Sequence, residues 1–473
     1  MQLNSLPLGL ILLSDVYYAA WIALGFVGLI AIAEWWRYRF HVEMEWTRKL
    51  VHLGGGLVCL LLPFVIQSHW TVLILAISMG AIFLFSRRWG MLQSIHAIER
   101  TSRGTEYYPI VVYLLFLMSQ TMPNHEAPWK FVICILVLAM SDSTAALVGM
   151  RYGRIKFYIE DEQKSLAGST AFYVVTLVVV LIPLFVWQPL SGDPSAWLHY
   201  VLAANLIALL VTCFELVSLQ GRDNLFVPLG TFLALTKTFQ TDVADLIVQN
   251  ISFAVMLVAI LTTGRLSKSF NVGGAVMVVL ACYACWAMGS FDWALPIIIG
   301  YGAYVIASLV SKLPWQLSVR PVAYLIMPSL SALVIGNVGL NSDRPDWVPF
   351  CFGPFLVASV VALSQSGFNA MNWNFRRDIR RKMINAICIS VLCWCLLILP
   401  LVGLGRMNDP QTILVSLLVV LSFAPISTRV LPPMPPREAP QRWLIARVLV
   451  TAVAAIVFAI LQWLAVCEIW NPI

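Results

Sequence analysis

Sixteen apolar runs follow one another along this chain, most of them close to the length of a helix that crosses a bilayer. They lie near 14–34, 50–66, 70–86, 107–121, 130–150, 167–187, 197–217, 225–240, 244–263, 272–289, 294–311, 321–338, 347–365, 383–404, 411–428 and 448–467. A hydrocarbon core of about 30 Å takes about 20 helical residues, and in lipid only a helix or a closed barrel satisfies its own backbone donors and acceptors. The expected fold is therefore an all-α, polytopic membrane helical bundle of about 16 transmembrane helices. Charged residues make up 11% of the chain and hydrophobic residues 60%, against about 25% charged in a soluble domain, which excludes a soluble enzyme. The pairs Cys282/Cys285 and Cys393/Cys395 lie in apolar runs without His or acidic neighbours and read as packing residues, not zinc ligands.

Basic residues set the expected orientation. With the N-terminus outside, 26 of the 30 Lys and Arg residues fall in loops on the cytoplasmic side, leaving Lys130, Lys237, Arg344 and Arg406. Both termini are then outside, and the active face of an integral protein of the plasma (inner) membrane looks into the cytoplasm. The net charge of +7 reflects this bias and calls for no nucleic-acid partner. The start of the chain has no basic n-region, so its first apolar run is read as a spanning helix. Of the 23 acidic residues, 16 precede Gly264. The chain thus divides into residues 1–263, which carry the chemistry, and a second helical domain, 264–473.

Four cytoplasmic loops hold the polar punctuation. In EWTRKLVHLGGG (45–56), Arg48, Lys49 and His52 share a helix flank, and two cations beside an imidazole suit a phosphate. In IHAIERTSRGTEYYPI (95–110), Arg103 offers a guanidinium fork next to a flexible Gly104. Asp142 lies inside the run beginning near Lys130, where a carboxylate costs roughly 2.5 to 3.5 kcal/mol to insert. It is followed by Arg151, Arg154, Lys156, Lys164-Ser165 and Gly168-Ser169 at the mouth of the next helix. A Lys with backbone N–H groups at a helix start makes an anion site, and an Asp nearby holds Mg2+ against the same phosphate. In CFELVSLQGRDNLFVPLG (213–230), Glu215, Asp223 and Asn224 come to the same membrane level and, with Asp142, would supply a hard-cation site.

Taken in order, RKLVH (48–52), ERTSRGTEYYP (99–109), SDSTAALVGMRYGRIKF (141–157), KSLAGS (164–169) and ELVSLQGRDNLFVPL (215–229) resemble the membrane family of CTP-dependent lipid-alcohol kinases, which includes phytol, dolichol and diacylglycerol kinases and is related to phosphatidate cytidylyltransferases. The resemblance covers about residues 25–263. Where the family usually has Glu this chain has Ala167, so no role is assigned to a carboxylate there.

The resemblance implies Mg2+-dependent transfer of the γ-phosphoryl of CTP to the hydroxyl of an isoprenoid or other lipid alcohol (phytol, dolichol, polyprenol or diacylglycerol). In that reading Asp142, His52 and Lys164 are catalytic, and Asp142, Asp223 and Glu215 hold the metal. Arg48, Lys49, Arg103, Arg151, Arg154, Ser165, Gly168, Ser169 and Asn224 bind nucleotide and phosphate. A cytidylyltransferase acting on a lipid phosphate uses similar residues, and a non-enzymatic transporter or flippase is the alternative favoured by many helices and an intramembrane Asp.

Overall fold

The computed structural model describes residues 11–89, 104–120, 127–187, 194–341, 347–372, 379–430 and 440–470. Each of the sixteen apolar runs is helical, and eleven helices combine the length and hydropathy needed to cross a membrane. Among the runs outside that group, Gly104–Gln120 has 17 residues with Glu106 in its first turn, and Asp223–Thr238 has 16 with Pro228 and Lys237 inside. Both are shorter than the roughly 20 residues of a full crossing. Large apolar side chains face outward along these helices, including Trp21, Leu24 and Val27, as in an element whose solvent is lipid.

The chain forms two compact units, 2–252 and 253–473. In the first, α1 (Leu13–Phe40) and α2 (Met44–Cys59) form an antiparallel pair, followed by the short α3 (Leu62–Val65) and α4 (His69–Arg88). Asp15 of α1 is fully buried and accepts from the amides of Ser68 (2.9 Å) and Gln67 (3.3 Å), so it satisfies backbone donors at the start of α4 from another helix. Next come α5 (Gly104–Gln120) and α6 (Ala127–Leu136), which passes through a π turn at Val137–Ser141 into α7 (Asp142–Tyr152). Then α8 (Leu166–Trp187) packs on α7 and α9 (Pro194–Val217), while α10 (Asp223–Thr238) lies against α5, α6 and α9. The core is built from Phe116, Phe131, Phe172, Phe232, Leu115 and Ile133.

One element departs from the all-α expectation. Residues 156–165 form a two-stranded antiparallel hairpin, β1 (Lys156–Ile159) and β2 (Glu162–Ser165), with Ile159 opposite Glu162. Glu160 turns the chain with φ 52°.

The second unit packs around the helix Trp347–Asn372, which is buried along most of its length. Phe355, Leu356, Val357, Leu397 and Phe458 meet in its core. Arg447 is buried and donates to Gln365 Oε1 at 3.3 Å and Ser366 Oγ at 2.8 Å. Every described cysteine is free.

Candidate active site

A π turn places the central carboxylate. The wider turn at Val137–Ser141 disturbs the i→i−4 ladder immediately before Asp142, and such bulges often mark functional positions. The turn is met by a glycine seam on α2. A Cβ on Gly56 would stand 2.5 Å from Cβ of Ala139, so only glycine lets the two backbones approach this closely.

That approach carries Lys49 and His52 to Asp142. The Lys49 ammonium lies 2.5 Å from Asp142 Oδ2 and is 5% exposed. His52 Nε2 is 3.0 Å from the Leu138 carbonyl and 3.5 Å from Asp142 Oδ2. A carbonyl only accepts, so the proton sits on Nε2 and the nitrogen facing Asp142 is a donor. Arg48, on the same flank, is turned to Glu45 at 2.5 Å.

A second pair assembles beside the first. Lys164 ends 2.5 Å from Glu215 Oε1 and 3.0 Å from the Glu215 carbonyl. Burial pulls its pKa down, but Glu215 and Asp223 outweigh that and raise it, so the ammonium stays charged. Asp223 starts α10, and its Oδ1 is buried without a hydrogen-bond partner. Burial, the charge of Asp142 and that of Glu215 push its carboxyl up to about 6, against the opposing influence of Lys164 and Lys49.

Both pairs open onto one cavity of about 920 Å³. Its polar head holds Arg48, Lys49, His52, Asp142, Lys164 and Asp223; its apolar arm runs between α1 and α4 along Ile22, Phe26, Ile30, Leu75, Met79 and Phe83. Six carboxylates (Glu45, Asp142, Asp161, Glu162, Glu215, Asp223) and five Lys or Arg (Arg48, Lys49, Arg87, Lys156, Lys164) line it, so side-chain charge alone does not neutralise a polyphosphate.

Not every residue expected at the site reaches it. Ser165, Gly168, Ser169, Glu215 and Asn224 line the cavity; Arg151 and Arg154 are exposed and do not. Arg151 lies over the Tyr152 ring at 5.5 Å. The start of α8 is not an open anion nest either, because Ser165 Oγ accepts from the Gly168 amide at 3.1 Å. Asn224 holds the Gly104 carbonyl at 2.9 Å. Arg103 lies outside the described residues. Asp142 and Glu215 are committed to lysines, and the described residues hold no ready cluster of three metal-binding side chains. Mg2+ usually takes one or two carboxylates plus phosphate oxygens and water, and Asp223, with a bare buried oxygen, fits that role. Sequence reading missed Glu45 as the partner of Arg48, the Arg87–Glu106 pair at 2.5 Å, and the whole apolar arm. Only the i, i+3 spacing of Glu45 and Arg48 was visible as a signal.

Fold and site together define a polytopic helical membrane protein in which one cavity joins an ion-paired polar head to an apolar arm. The chain is 30% identical to a phytol kinase of Synechocystis over 220 residues, covering 45% of this chain and 90% of the relative. It is 26% identical to a probable chloroplastic phytol kinase of Glycine max over 250 residues (48% of this chain, 78% of the relative). Over 127 residues it is 29% identical to the dolichol kinase of Saccharomyces cerevisiae (25% of this chain, 22% of the relative). This chain belongs to the phytol and dolichol kinase family of lipid-alcohol kinases. No family model and no solved structure matches it.

Proposed function

We propose that the protein transfers the γ-phosphoryl group of a nucleoside triphosphate, CTP, to the hydroxyl of an isoprenoid alcohol of the phytol or dolichol type. The observation that carries this reading is the continuity of the cavity: one space offers a polar head suited to a hydroxyl and an apolar arm suited to a hydrocarbon tail. Phosphoryl transfer passes through a loose transition state that needs positioning and charge neutralisation more than covalent help. In this reading Asp142 accepts the hydrogen bond of the alcohol and takes its proton as the new O–P bond forms and the bond from the γ-phosphorus to the β–γ bridging oxygen breaks, releasing CDP. Lys49 keeps that carboxylate in place. Lys164, Arg48 and Lys49 turn part of their charge from carboxylates to phosphate oxygens. Asp223 is the residue that would hold Mg2+, which when bound neutralises phosphate charge. The reading further takes all sixteen runs as spans, both termini as outside, and the head as facing the cytoplasm from the plasma membrane, supported by the basic-residue bias.

The test is direct. Purified protein incubated with Mg2+, γ-labelled CTP or ATP and a panel of phytol, dolichol and diacylglycerol is expected to yield a labelled lipid phosphate and CDP from CTP. Pyrophosphate as the released product, or no labelled lipid with any alcohol, would overturn the reading.

A further inference from the structure

The apolar arm of the cavity has an end. Its farthest lining residues are Ile22 on α1, Val72 on α4, Cys59 at the end of α2 and Leu62 at the start of α3. Beyond them the wall is packed: Ala19 and Asp15 on α1, Ile66 after α3 and Ser68 before α4 do not line the cavity, and Ile66 and Ser68 are each 3% exposed. Asp15, by accepting from the Gln67 and Ser68 amides, pins α1 to the turn that enters α4 at that end. The arm is therefore blind.

Helix geometry gives its length. An acceptor hydroxyl meets Asp142 at the level of Lys49 and His52 on α2, and from that level to Leu62 the largely helical chain rises about 15 to 20 Å. The stretch of α4 from Phe83 to Val72 gives about 16 Å for the same wall. An isoprene unit adds four main-chain bonds of about 1.5 Å each, about 5 Å when extended, so the arm takes about three to four units. The tail arrives from lipid, whose chains are as apolar as the arm. Its burial thus gains little, and length is selected by what the floor excludes.

We propose that the arm is a blind-ended ruler for the acceptor, with Leu62 and Val72 as its floor. Isoprenoid alcohols of about three to four units, such as farnesol, geranylgeraniol and phytol, are its substrates, and polyprenols of dolichol length are excluded because their tails cannot be contained. This rests on the cavity being a lipid-alcohol phosphorylation site and narrows the acceptor within that reading. Discrimination comes from a clash with the wrong ligand and not from added attraction to the right one.

The experiment uses the full-length protein in nanodiscs with geraniol, farnesol, geranylgeraniol and undecaprenol. It reads the rise in Tm that each alcohol gives without nucleotide, and kcat/KM for each with Mg2+–CTP. Wild type is expected to favour farnesol and geranylgeraniol over undecaprenol by about tenfold or more, the scale of an overpacked contact. Val72→Phe raises the floor and is expected to lower the ratio of geranylgeraniol to geraniol by about tenfold; Leu62→Ala deepens it and is expected to shift preference toward the longer alcohol. If Val72→Phe does not insert, Leu62→Ala alone decides. Undecaprenol used as well as farnesol by wild type, an unchanged length profile in an inserted variant, or no rise in Tm with any alcohol would overturn the proposal. Because binding is read without nucleotide, length-graded stabilisation with no phosphorylation sinks the kinase reading alone, and equal phosphorylation of all lengths sinks only the ruler.

Discussion

Lys49 and Asp142 are 93 positions apart in the chain and 2.5 Å apart in the fold. Removing one partner of a buried pair strands the other charge, at a cost of about 3 to 5 kcal/mol, while replacing both by apolar groups is often neutral. Asp142→Asn is therefore expected to lower both Tm and lipid phosphorylation, and Lys49→Met with Asp142→Leu to recover Tm without recovering activity. Recovery of both would make the pair purely structural. Asp223 adds a pH dependence. Its folded-state value of about 6 stands above the ordinary 3.8, so the fold favours the protonated form. That stabilisation is complete below the ordinary value and lost as pH rises through about 6. A divalent cation binding the ionised form should restore it by mass action. Mg2+ is expected to raise Tm at pH 7.5 and to lose this effect below pH 6, and Asp223→Asn to abolish it at pH 7.5; a Mg2+ shift that persists in the variant would place the cation elsewhere.

At the scale of elements, the junction of α2 with the π turn sets the spacing of the site. Gly56→Ala puts a Cβ 2.5 Å from that of Ala139. Overpacking costs about 1 to 3 kcal/mol, and here relief comes from moving α2, which carries Lys49 and His52, away from Asp142. The variant is expected to lose more than tenfold in activity along with a lowered Tm. Gly28→Ala, with nothing within 4 Å of its Cβ, should change neither; equal effects would show that helix glycines matter here only through propensity. The elements themselves were legible in the sequence, because hydropathy marks a helix in lipid regardless of its neighbours. The hairpin was not, since KFYIEDEQKS lacks the glycine that usually announces a tight turn and Glu160 takes the left-handed position instead. The π turn was also invisible: VLAMS differs in no composition from the helix around it.

Across the whole molecule, the sequence shows which residues are polar within apolar surroundings but not what they face. Asp142 stood out because charge is expensive in lipid, and Lys164, Glu215 and Asp223 because they punctuate the polar loops between apolar runs. The apolar arm did not, because Ile22, Phe26 and Met79 in its wall are the same residue types as Trp21, Leu24 and Val27 on the outside. The arrangement of lysines on carboxylates was equally hidden, since pairing depends on contacts set by tertiary packing. All residues that line the cavity lie between Ile22 and Asn224, inside the unit 2–252, which has its own core. That unit breaks off within the helix Val243–Leu266, so a cut at 252 would sever a helix, while one after 266 keeps it whole. A fragment of residues 1–266 is expected to insert, to bind Mg2+–nucleotide with a Kd within about threefold of the full chain, and to keep lipid phosphorylation within an order of magnitude. The comparison needs fragment and full chain in the same nanodiscs, with Asp142→Asn in each as the inactive reference. Full insertion and nucleotide binding with no lipid phosphorylation would show that residues 267–473 act on the acceptor, as a lipid-presenting half would. Loss of nucleotide binding in a well-inserted fragment would contradict the assignment of the site to the first unit.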